Sequence, residues 1–105
     1  MAVFVLLTRV SPMALRSGHT LEELERDVVD RVTQECPDVR WLTSLAVLGP
    51  YDYLDVFQAP DVETAARVAT LVRVYGKAET ETWAAIEWPR FKELLGRLPG
   101  HIAEA

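Results

Sequence analysis

The sequence predicts one small α+β domain in the order β-α-β-β-α-β, with a four-stranded antiparallel sheet, two long helices on one face and a short C-terminal helix. Three observations predict it. Strand-like and helix-like segments follow one another in that order along 1–98. The Gly49-Pro50 pair joins two apolar runs too closely for a crossover, so those two pair as a hairpin. Thr20 and Asp61 stand as N-caps at the head of the two long helical segments. With 105 residues and 50% hydrophobic content the chain fits one domain, 1–98, followed by a tail, 99–105.

The first strand, Val3–Arg9 (VFVLLTR), is apolar at odd and even positions alike, so both of its faces should be covered. After the turn-prone run SPMALRSGH comes a helix from Thr20 to its stop at Pro37, opened by Thr20 and Glu23 as a capping box. Its apolar stripe is Leu21, Leu24, Val28 and Val32. Val39–Gly49 reads as the second strand and Tyr51–Ala59 as the third. The next helix starts at Asp61, carries Ala65, Ala66 and Ala69 for close approach to the sheet, and ends at Gly76 in the left-handed C-terminal position. Ala78–Trp88 is the fourth strand, and Pro89 opens a short amphipathic helix over RFKELLGRL.

The formal net charge of -5, with acidic and basic residues interspersed, excludes the clustered basic face that nucleic acid binding needs. The opening apolar run is too short for a signal peptide or a membrane span, which points away from a membrane. Cys36 is the single cysteine, so no internal disulfide and no multi-cysteine metal site is expected, and a cytoplasmic location follows by default.

Helices on one face leave the other without cover from its own chain, yet strands one and three carry large apolar groups on both faces. The alternation of the third strand sets Tyr51, Tyr53, Asp55 and Phe57 on one side and Leu54 and Val56 on the other. The expectation is a homodimer, or a higher multiple, with two sheets packed face to face. Val5 and Phe57 are the positions where a charge should disrupt that contact.

The stretch LGPYDYLDVFQAPDVETAARVA followed by GKAETETWAAIE resembles the GYD-domain proteins. The namesake residues map to Gly49, Tyr51 and Asp52, with Pro50 intervening, and the likeness is densest over 48–87. The resemblance implies a ferredoxin-like fold, membership of the dimeric α/β-barrel superfamily, and a dimer. Relatives in that superfamily include cofactor-free monooxygenases, haem-degrading enzymes and stress-response proteins, with ligand pockets commonly between sheet and helices. Chemistry does not transfer across a fold, so each site stands on its own residues.

Asp55 and Tyr53 are the catalytic candidates. A carboxylate between Tyr53 and Phe57 has its pKa raised by burial unless Arg9 or Arg40 reaches it, and it then suits a general base. The plainer reading, which is favoured, makes Asp55 a polar group that sets the register of the dimer. Tyr51, Asp52 and Trp83 are the ligand-binding candidates, with Asp52 more simply accepting from backbone donors at the turn. Glu79 and Glu81 share a face of the fourth strand with Trp83 and read as a solvated edge. Trp41, Trp83 and Trp88 read as packing anchors that also suit an organic ligand's pocket. His19 and His101 complete no ligand set, so neither metal nor cofactor is expected.

The function expected is a homo-oligomeric binding or structural module with a pocket for a small apolar or aromatic ligand. A cofactor-free or haem-linked oxidoreductase is the alternative.

Overall fold

The computed structural model describes residues 1–99. Its elements are β1 (Ala2–Val10), α1 (Pro12–Arg16), α2 (Leu21–Glu35), β2 (Arg40–Ala46), β3 (Tyr53–Ala59), α3 (Val62–Tyr75), β4 (Ala78–Ala85) and α4 (Trp88–Leu95). The sheet is antiparallel with strand order β2-β3-β1-β4, so both halves cross over before pairing at the centre. This is the expected α+β architecture with one addition, the short helix α1. Ser11 caps it by accepting from the Met13 amide at 3.2 Å, where the sequence read as a turn.

The register decides which side of each strand faces the helices. Phe4, Leu6 and Thr8 of β1 stand opposite Phe57, Asp55 and Tyr53 of β3, and this set points toward α2 and α3. Phe4 and Phe57 stack with ring centroids 5.6 Å apart, and Trp41 tilts onto Phe57 from β2. Val32 of α2 and Ala65, Val68, Ala69 and Val72 of α3 close this core. The alanines do what their size suggests at 65 and 69, which are buried, but Ala66 faces solvent.

Helix α2 fulfils only part of its stripe. Leu24 and Val32 are buried, Val28 is half-buried, and Leu21 is exposed at the edge of a cavity between α2 and the sheet. At its head Thr20 Oγ1 accepts from the Glu23 amide at 3.1 Å. The Glu23 carboxylate accepts from the Thr20 hydroxyl, also at 3.1 Å.

The end of α3 differs from expectation in an instructive way. Gly76 has φ -85, an ordinary right-handed value, and Lys77 takes the left-handed conformation at φ 48. The glycine is there for space: a Cβ would lie 2.5 Å from the Val72 carbonyl oxygen and 3.1 Å from Val28 Cγ2. Two helices therefore meet at a point where only a hydrogen fits.

On the opposite side of the sheet lie Val3, Val5, Leu7, Leu54, Val56 and Trp83. No helix of the core packs there, and Trp83 is 50% exposed. Phe57 is not among these residues. It is fully buried under the helices, so the expectation that it forms part of a sheet-to-sheet contact is corrected. Helix α4 buries none of its residues, and its Trp88 and Phe91 rings pack on each other at 5.6 Å.

Candidate functional site

The candidate residues divide between the two sides of the sheet. On the helix side, a cavity of about 450 Å³ lies between α2 and the sheet; its floor holds Thr8, Ser44, Tyr53 and Asp55, with Glu25 of α2 at its margin. Leu24, Val28 and Val72 supply apolar walls, and Trp41 closes the β2 side.

Asp55 is half-buried on β3 directly opposite Ser44 of β2 and Leu6 of β1. Burial pushes its carboxyl above the usual aspartate range; a hydrogen bond from Ser44 works against that, and the charge of Glu25 adds to it. Tyr53 is raised as well, by burial first and then by Asp52 and Glu25, so its phenol stays a protonated donor at neutral pH.

Neither arginine named as a partner for Asp55 reaches it. Arg9 points to the uncovered side, where its Nε donates to the Pro50 carbonyl at 2.6 Å and its guanidinium lies over the Tyr51 ring. Arg40 pairs opposite Gln58 and is exposed. With Asp55 facing helices, the favoured reading of it as a register group between two sheets is corrected too.

Tyr51 and Trp83 come together on the uncovered side through Glu81. The Tyr51 hydroxyl donates to one carboxylate oxygen at 3.0 Å and Trp83 Nε1 to the other at 2.6 Å. The bond to Glu81 is the main reason the Tyr51 phenol is raised above its ordinary pKa. Glu81 therefore organises two aromatic rings, whereas Glu79 fits the solvated-edge reading and makes only a 3.5 Å pair with Arg9. Tyr51 lies before β3 begins, which is how it escapes the alternation that would have put it beside Tyr53.

The Asp52 side chain does bind backbone, but of β1 and not of its own turn, where only its carbonyl takes part by accepting from the Val47 amide at 3.0 Å. Its carboxylate accepts from the Val10 amide at 2.8 Å, and its own amide donates to the Thr8 carbonyl at 2.8 Å. The motif thus extends the β1–β3 ladder past the end of β3 and fixes Tyr51 over Arg9.

Sequence reasoning missed Ser44, Glu25, Thr8 and Glu81 as site residues. Ser44 reaches Asp55 because a bulge between Trp41 and Thr43 shifts the β2 register, and no residue pattern signals that shift. Glu25 falls on the polar side of the helical wheel, and the sequence does not show that it borders the cavity between α2 and the sheet. His19 is not among the cavity's lining residues, and His101 lies outside the described residues. Cys36 is buried with its thiol pushed up, chiefly by desolvation. Among the described residues no group of three or more His, Cys, Asp or Glu is placed to hold a metal ion.

Residues 4–95 match the GYD domain. The chain belongs to the GYD-domain family. A Thermus thermophilus protein named glutamine synthetase and cystathionine beta-lyase binding protein is 38% identical over 77 residues, covering 73% of this chain and 68% of that one.

Two solved structures share the fold of this GYD-domain chain. TTHA0845 from Thermus thermophilus has a TM-score of 0.53 at 24% identity, covering 83% of this chain and 95% of the other. The Mycobacterium tuberculosis leucine response regulatory protein LrpA has a TM-score of 0.55 at 10% identity over 82% of this chain. The GYD-domain chain corresponds to 51% of that regulator's length. Both likenesses confirm the ferredoxin-like architecture. Among the described residues no helix is long and apolar enough to cross a membrane.

Proposed function

We propose that this GYD-domain chain is a cytoplasmic, homodimeric binding module that docks on partner proteins and holds a small molecule between α2 and its sheet. The observation that carries the dimer is the uncovered apolar face. Val3, Val5, Leu54 and Val56 are half-buried by their neighbours alone, Trp83 beside them is exposed, and Leu7 is the one member of this set that is buried. A second copy laid on this face by a two-fold axis removes it from water in one step.

The partner-protein half of the reading draws on the Thermus relative, whose name states that it binds two enzymes. The exposed α4, with Trp88 and Phe91 presented to solvent, supplies a surface of the aromatic kind found at protein contacts. The test is co-sedimentation of the purified chain with glutamine synthetase and with cystathionine beta-lyase from the same source. Co-migration of either enzyme, weakened by Trp88→Ala with Phe91→Ala, is the expected result; free sedimentation of both enzymes rejects them as partners.

One observation favours a second reading, an oxidoreductase using neither metal nor cofactor. Asp55 offers a carboxyl of raised pKa beside the protonated Tyr53 phenol in one cavity, a base next to a hydrogen-bond donor. The haem-linked variant has weaker support, since among the described residues no histidine or cysteine lines this cavity.

A further inference from the structure

The charge of the α2 cavity is one-sided. Two carboxylates, Asp55 on the floor and Glu25 at the margin, face a space whose lining, among the described residues, includes no lysine, arginine or histidine. Among the described residues it is the neutral Ser44 hydroxyl that answers Asp55, and Glu25 pushes its titration in the same direction as burial does. A carboxylate drawn from water without a counter-cation is costly, so a ligand that brings positive charge removes a penalty already present in the empty cavity. An anion would add a third negative charge.

The walls narrow the class further. Leu24, Val28 and Val72 reward a hydrocarbon body and give a small hydrated cation nothing to bind. A metal ion needs a fuller oxygen set than two carboxylates on separate elements, and no group of three acidic or imidazole ligands is assembled among the described residues. Trp41 and Tyr53 bring aromatic rings to the same space, and ring faces attract ammonium groups. A volume of about 450 Å³ lies within the range of pockets for small organic molecules.

We propose that the cavity between α2 and the sheet binds a primary amine with an aryl or alkyl body, its ammonium on the Asp55 carboxylate and its hydrocarbon against Val28 and Val72. This deepens the small-molecule half of the proposed function and is independent of the dimer. Bound ammonium favours the ionised carboxylate, so binding at a pH near the folded-state pKa of Asp55 releases protons from it. Glu25, Ser44, Tyr53 and Thr8 are the other titratable or polar groups facing it.

The test is calorimetric titration of the full chain with three probes of one shape: 2-phenylethylammonium, 2-phenylethanol and phenylacetate. Trp41 fluorescence serves as a second readout. The ammonium is expected to bind about tenfold or more tightly than the alcohol, and the acid not at all. Asp55→Asn should bring the ammonium down to the level of the alcohol, and Glu25→Gln should cause a smaller loss. Equal affinity for ammonium and alcohol overturns the cationic class while keeping the pocket; tighter binding of phenylacetate, or no binding by any probe, overturns the inference outright. The probe comparison on the unmodified chain needs no variant to fold. The subunit count of the same sample separates a failure here from a failure of the dimer.

Discussion

On the helix side of the sheet Phe4, Leu6 and Phe57 are sealed beneath α2 and α3, whereas on the other side Val3, Val5, Leu54 and Val56, of similar hydrophobicity, stay half-exposed. The strands do not distinguish the two sides by composition; the helices do. One side carries the folding energy of the single chain, with a cavity of apolar walls and an acidic floor between α2 and the sheet. The other carries apolar surface that the chain by itself leaves in contact with water. A small domain can hold its fold with one buried face and assign the second to assembly.

Substitutions on the two sides should therefore fail differently. Phe57→Ala removes a fully buried ring from between Phe4 and Trp41 and should cost about 3–5 kcal/mol, read as a lower urea midpoint. A loss of dimer with unchanged monomer stability would instead return Phe57 to the uncovered face. Gly76→Ala forces a Cβ against the Val72 carbonyl and Val28, and about 1–3 kcal/mol of destabilisation is expected in the same experiment.

How much of this contrast can be read from residues alone differs between strands. In β1 the two-sided apolar pattern and the antiparallel order are legible, as are the helices opened by Thr20 and Asp61. Which side the helices take is not, because a strand apolar on both faces gives alternation without direction. That is why alternation alone sets Phe57 and Asp55 against a second sheet, when the register puts them under α2 and α3. Tyr51 and Trp83 can be singled out from the sequence, but their link runs through Glu81, brought near by the β1–β4 pairing between residues far apart in the chain. The cavity depends on how α2 and α3 sit over the sheet and on the β2 bulge, both tertiary effects.

The smallest effect is a dependence on pH. Because the folded-state pKa of Asp55 lies above its ordinary value of 3.8, the folded form holds that proton more tightly than the unfolded chain. Its ionisation therefore lowers stability as pH rises from that ordinary value through the folded pKa. Asp55→Asn removes this loss. The variant should melt higher than the parent at pH 7, with the difference fading toward about pH 3. A variant equally destabilised at both pH values would show that Asp55 acts through its hydrogen bond to Ser44 and not through its charge.

The uncovered face is the centre of the account, and native mass spectrometry at micromolar concentration tests it most directly, comparing the parent chain with Val56→Asp. Val56 lies beside Val5 in the ladder, away from the helix core, so a charge there should spare the fold. The account predicts a two-subunit parent and a folded one-subunit variant with unchanged circular dichroism. A monomeric parent, or a dimer indifferent to the charge, would contradict it.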